Sequence, residues 1–128
     1  MDALKIGIAS YEQMKARTIS IARGTYHSQP NEPKVWFPSI ESLARVLSAG
    51  NRELLDVIAS RQPRSIQELA EMTGRKKSNL SRTLRTMAGY GIVSLEKGEG
   101  GRVTPHVAHD RLTLDLPLLT PVANASFR

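Results

Sequence analysis

Apolar residues recur along this chain with two periods, and the switches between them mark its elements. Leu4-Lys5-Ile6-Gly7-Ile8 alternates apolar with polar or small residues, which predicts a short strand over 4–8. It runs into Ser10-Tyr11-Glu12-Gln13, a capping box in which the serine hydroxyl accepts from the Gln13 amide and the glutamine reaches back. A helix to about residue 23 follows, with Tyr11, Met14, Thr18 and Ile21 expected on one side and Gly24 as its stop. Pro30, Pro33 and Pro38 lie among polar residues, so 25–38 predicts a linker or extended arm. Ser39 opens a second helix carrying Ile40, Leu43, Ala44, Val46 and Leu47, with Gly50 as its end. Asn51 is expected to cap a third, which buries Leu54, Leu55, Val57 and Ile58 and stops before Pro63. Neither stripe is wide enough for a helix that stands alone, so the two must pack together.

A second capping box, Ser65-Ile66-Gln67-Glu68, starts a short helix whose inner face is Leu69, Ala70 and Met72. Thr73-Gly74 breaks it, because glycine accepts the positive φ of a tight interhelical turn. The next helix, from about residue 77 to 88, places Leu80, Leu84 and Met87 on one stripe. At about 100° per residue, Ser78, Arg82 and Arg85 fall opposite Leu80, with Ser81 beside them. Residues 72–95 contain no acid, while Arg75, Lys76, Lys77, Arg82 and Arg85 crowd into that stretch. Such a face suits a helix lying in the major groove of DNA, where acids would meet phosphates and a guanidinium can pair with guanine O6 and N7. A helix-turn-helix over 65–89 is therefore predicted.

Gly89-Tyr90-Gly91 ends the helix, and Ile92-Val93-Ser94-Leu95 predicts a strand. Lys97-Gly98-Glu99-Gly100-Gly101-Arg102 is a glycine-rich turn, after which Val103-Thr104-Pro105 leads away. A hairpin over 91–105 in this position is the wing of a winged helix, with Lys97 and Arg102 placed to reach phosphate or the minor groove. Arg111-Leu112-Thr113-Leu114-Asp115-Leu116 alternates strictly and predicts a half-buried strand ending at Pro117. Strands 4–8 and 111–116 have no partner within the winged helix, so they are expected to pair with each other, within one chain or across a dimer. Residues 120–128 show no period and predict a frayed tail. The fold class expected is mainly α with a small β-sheet. Residues 1–38 form an N-terminal strand, helix and arm, 39–117 the winged helix-turn-helix, and 118–128 the tail.

Composition sharpens this picture. Lys and Arg number 18 against 12 acids, a formal charge of +6 that favours a polyanionic partner. With no cysteine, a disulfide framework, a thiolate zinc site and thiol redox sensing are excluded. No apolar run approaches the ~20 residues of a membrane span, and Met1-Asp2-Ala3-Leu4-Lys5 lacks a signal-peptide layout. A cytoplasmic location is expected. His106, His109 and Asp110 match no strong metal signature, and the glycines at 98–101 precede no helix that would hold a nucleotide. No cofactor is expected, and the chain reads as a non-enzyme. Trp36 and Phe37 read either as core plugs or as exposed anchors for a partner.

Several stretches together carry a family resemblance: Met14-Lys15-Ala16-Arg17-Thr18, Pro33-Lys34-Val35-Trp36-Phe37, Glu68-Leu69-Ala70 and the run Thr73-Gly74-Arg75-Lys76-Lys77-Ser78-Asn79-Leu80-Ser81-Arg82-Thr83-Leu84. The chain resembles the MarR-like prokaryotic regulators of toxin-antitoxin operons, the TumA-type antitoxins, over about residues 4–116. The resemblance implies a dimeric antitoxin that neutralises a small protein toxin and represses its own operon. Carried over by motif, Arg75, Lys76, Lys77, Ser78, Asn79, Ser81, Arg82 and Arg85 would contact double-stranded DNA, with Arg102 in the wing. No motif marks the toxin contacts. Tyr26, Trp36 and Phe37 in the N-terminal region are the candidates. The alternative is a winged-helix protein-interaction module, or a stand-alone regulator without a toxin, since fold does not fix function.

Overall fold

The alternation at the start of the chain is a strand, and that strand is the centre of a sheet. The computed structural model describes residues 2–27 and 30–119. β1 (Ala3–Ile8) is flanked by β2 (Val35–Phe37) and β5 (Arg111–Asp115), both parallel to it, in the order β2-β1-β5. Leu4 lies in register with Leu112 and Ile6 with Leu114. The pairing expected between 4–8 and 111–116 is thus made within one chain.

Residues 35–37 correct the expectation of a linker. Prolines flank the segment, yet Ile8 pairs with Phe37 and the Ala9 amide donates to the Phe37 carbonyl at 2.9 Å. Three residues of strand between Pro33 and Pro38 are long enough to pair and too short to show a period. With α1 (Tyr11–Ala22) between them, β1 and β2 form a β-α-β unit. The capping box at Ser10 and Gln13 is present in both directions. The face expected of α1 is used only at Met14: no residue of the helix is fully buried, and Tyr11, Thr18 and Ile21 are exposed. Met14, Arg17 and Ser20 are half-buried.

α2 (Ile40–Val46) starts at Ser39 with a reciprocal cap from Ser42 and ends at Leu47, short of Gly50. α3 (Ala49–Arg61) takes Gly50 into its first turn and is capped by Ser48, whose hydroxyl accepts from the Asn51 amide. Asn51, expected to be that cap, spends its side chain elsewhere: its Nδ2 donates to the Val46 carbonyl at 2.9 Å. α4 (Ile66–Thr73) and α5 (Lys77–Gly89) follow, then the antiparallel hairpin of β3 (Val93–Lys97) and β4 (Val103–Val107) around a 3-10 turn at Glu99–Gly101. Helices α3 to α5 with this hairpin make a winged helix-turn-helix.

The wing reaches two residues further than the sequence suggests, because Pro105 lies inside β4 opposite Leu95. Proline has no amide to give a ladder. The Ala108 amide donates to the Ile92 carbonyl and the Gly98 amide to the Arg102 carbonyl. Alternation between those bonded pairs leaves Leu95 and Pro105 as a pair that exchanges no hydrogen bonds. Pro105 is buried, and next to it the Thr104 hydroxyl donates to the Arg64 carbonyl at 2.7 Å, tying the wing to the start of α4.

Leu4, Ile6 and Phe37 from the sheet share one core with Leu54, Ile58, Leu69, Leu80, Leu84, Met87, Ile92 and Val93. The inner sheet face therefore closes the winged helix. On the outer face, Trp36 covers Gly7 so closely that a Cβ there would stand 2.5 Å from the indole Cζ3.

Candidate nucleic-acid interface

α4 and α5 are set by one turn. The Ser65 hydroxyl accepts from the Glu68 amide at 3.0 Å, while the Glu68 carboxylate accepts from Arg64 rather than closing the box on Ser65. Leu69, fully buried, pins α4 to the core. Gly74, at φ 74°, stops it in the left-handed region where a Cβ would be strained. α5 then starts at Lys76 with no side-chain cap.

The core stripe of α5 is the one its spacing predicts: Leu80, Leu84 and Met87 are each fully buried. Opposite them Ser78, Arg82 and Arg85 are exposed, as are Lys76, Lys77 and Asn79, while Ser81 is half-buried. Among the described residues, none of Lys76, Lys77, Arg82 or Arg85 makes a salt bridge. Helix N-termini carry partial positive charge and open amides. Here that end is uncapped and bears two lysines, an arrangement that repels itself and is relieved by an anion.

Arg75 behaves differently from its neighbours. Its guanidinium donates to Asn79 Oδ1 from Nη2 at 2.8 Å and from Nε at 3.1 Å, and reaches Asn51 Oδ1 at 3.4 Å. Half-buried, it ties the turn and the first turn of α5 to the start of α3. Arg45, on α2, was not singled out from the sequence. It shares with Arg82, Thr83, Thr86 and Asn51 a groove of about 330 Å³ between α2 and α5. Its only sequence signal is a cation in the last turn of α2, which a helix dipole explains equally well. On the wing, Lys97 and Arg102 are exposed on either side of the turn, with Glu99 between them.

The three aromatic candidates of the N-terminal region part company. Phe37 is fully buried and stacks on Tyr90, so it is a core plug and offers no surface to a partner. Trp36 is half-buried, with the Arg17 guanidinium 5.5 Å from its ring centroid. Tyr26 is 37% exposed, and its ring centroid lies 5.7 Å from the same guanidinium. Its hydroxyl donates to the Glu32 carboxylate, a bond that raises the phenol above its ordinary pKa. Glu32 also pairs with Arg17 at 2.9 Å.

A family model, described as HVO_A0114, matches residues 46–114. The chain belongs to the HVO_A0114 family. The matched span begins at the last residue of α2 and ends one residue before the end of β5. The HVO_A0114 model thus takes in α3 to α5, the hairpin and all but the last residue of β5, and leaves β1, α1, β2 and nearly all of α2 outside. A predicted DNA-binding transcriptional regulator from E. coli is a solved structure similar to this chain, with 19% identity and a TM-score of 0.45 over 79% of this chain and 86% of that one. No curated protein matches. Among the described residues no helix is long and apolar enough to cross a membrane, and no group of three or more His, Cys, Asp or Glu is placed to hold a metal ion.

Proposed function

We propose that this chain is a sequence-specific double-stranded DNA-binding transcriptional regulator that inserts α5 into the major groove. The observation that carries this reading is the outer face of α5. Lys76, Lys77, Arg82 and Arg85 are exposed and, among the described residues, make no salt bridge; they lie in an acid-free stretch, on a helix whose other face is fully buried. The open amides at its start and the two lysines there fit a phosphate, which would fix the register. Arg82 and Arg85, further along α5, would read base edges. Lys97 and Arg102 extend the contact from the wing. One helix reads only a few base pairs, so the regulator acts as a two-fold dimer that places two helices about one turn of DNA apart.

The finer reading is a repressor of its own operon that also serves as the antitoxin of a small protein toxin. It rests on the resemblance carried by residues 73–84. It is supported by an N-terminal unit the DNA contact does not use, with Tyr11 78% exposed and Tyr26 and Trp36 partly open. Fluorescence anisotropy with the native promoter and with random duplex, over a salt series, tests the DNA reading. Affinity for the promoter should exceed that for random DNA and fall steeply with salt. Equal, weak binding to both would reject sequence-specific regulation. For the antitoxin reading, the neighbouring gene's product is tested for capture by wild type, Tyr26→Ala and Trp36→Ala. No toxin gene beside this one would leave a stand-alone regulator.

A further inference from the structure

The sheet order β2-β1-β5 leaves two edges, and they are not equivalent. β2 is three residues long and bounded by Pro33 and Pro38, which blunts it. β5 has five residues, Arg111-Leu112-Thr113-Leu114-Asp115, with no proline until Pro117. Among the described residues no strand pairs with its far side, which leaves a row of amides and carbonyls, the usual template for another strand.

Two further observations say what covers it. The first is burial. Leu114 stands in register with Ile6 on the same inner face; Ile6 is fully buried, yet Leu114 is 38% exposed because among the described residues no strand lies beyond β5. Leu118 and Leu119, just past the strand, are 93% and 84% exposed, so the edge continues into an uncovered apolar patch. The second is charge. Read in both directions from Thr113, the strand is self-complementary: leucine on each side, then Arg111 at one end and Asp115 at the other. Within one strand these two charges lie about 13 Å apart and cannot meet. Neither makes a salt bridge among the described residues.

We infer that β5 pairs antiparallel with β5 of a second copy of this chain, about a two-fold axis at Thr113, joining the two sheets into one. In that register Arg111 faces Asp115 of the second copy twice over, Leu112 faces Leu114, and Thr113 faces itself. Such an isologous contact uses the same patch on both partners and closes. Opposite charges directly across a strand pair attract, and like charges there repel. The inference rests on the two-fold assembly proposed above and names its interface.

The test uses the full chain in analytical ultracentrifugation. In Arg111→Asp and in Asp115→Arg, like charges meet at both ends of the strand pair, and dimer dissociation constants should rise about tenfold. An equimolar mixture of the two variants restores both opposite pairs and should dimerise as tightly as wild type. The chain has no cysteine, so added thiols report the register directly. Thr113→Cys should form a disulfide dimer under mild oxidation, its Cα atoms falling within the range a disulfide spans. Asp115→Cys, about 14 Å from its own copy across the axis, should not. A wild-type dimer with both charge variants unaffected, or with no Thr113→Cys cross-link, would overturn the β5 interface while leaving the assembly intact. A wild-type chain that stays monomeric at all concentrations would remove the assembly too, with promoter binding still measurable on its own.

Discussion

Phe37 stacks on Tyr90 with ring centroids 3.8 Å apart and an interplanar angle of 11°. One ring ends β2 and the other follows the last residue of α5. The N-terminal unit and α5 are therefore joined ring to ring, and Phe37 sits in the same core as Leu80, Leu84 and Met87.

Phe37→Ala should destabilise the chain by about 3–5 kcal/mol, the usual cost of emptying a buried phenylalanine site. Since whole-domain stabilities are about 5–15 kcal/mol, urea unfolding would show a midpoint moved far toward zero. The contact also predicts loss of promoter affinity at temperatures where the variant is partly unfolded. A midpoint within 1 M of wild type, with a slope of about 1–3 kcal/mol/M, would contradict the stacking role.

Gly7 and Trp36 form a second coupled pair. A methyl at Gly7 would press on the indole at 2.5 and 2.8 Å, so Gly7→Ala should cost about 1–3 kcal/mol. Combined with Trp36→Leu, the added methyl should cost much less, and the double-mutant cycle should be clearly non-additive. Additive losses by thermal unfolding would show that the ring is not what excludes a side chain at Gly7.

Arg82→Ala and Arg85→Ala should each weaken promoter binding by about 1–3 kcal/mol and relax discrimination at particular base pairs. Lys76→Ala should weaken promoter and random duplex alike and flatten the dependence on salt, the mark of a phosphate contact. Neither arginine change mattering to promoter affinity would remove α5 from the groove.

Arg75 should divide differently between stability and binding. Arg75→Ala removes bonds to Asn79 and Asn51, and about 1–2 kcal/mol of stability should go with them, on the low side for bonds to a charged group because the site is half-open. Asn51→Ala should lose stability through the same network, with no change in the salt slope of DNA binding. If Arg75→Ala melts like wild type but flattens that slope, the residue is a phosphate contact and not a brace.

The sequence carried what is local. Serines at 10, 39 and 65 cap helices as their spacing implies, and the Leu80, Leu84, Met87 stripe fixes which face of α5 is outward. It misled where distant residues decide. The arm at 25–38 contains a strand because β1 offers an edge, which no local period in Val35-Trp36-Phe37 reveals. Periodicity put Thr18 rather than Arg17 on the inner face of α1; the Arg17 guanidinium lies within 6 Å of two rings, Tyr26 and Trp36, that only the fold brings near. Arg75 counted with the basic cluster because Asn51, its partner, lies 24 residues away.

The parallel pairing of Ala3 with Arg111 also imposes an order on synthesis. β1 emerges from the ribosome early, and more than a hundred residues must follow before β5 exists to flank it. Long-range parallel contacts of this kind form late, since the loop must close before the ladder can repay its entropy. The winged helix, built from neighbours in sequence, is complete before β5 is available, so the sheet is zipped onto a nearly finished scaffold. Until β5 arrives β1 has one flank bare, so a chain that ended before residue 111 would keep its helices and hairpin but carry an open strand beside them.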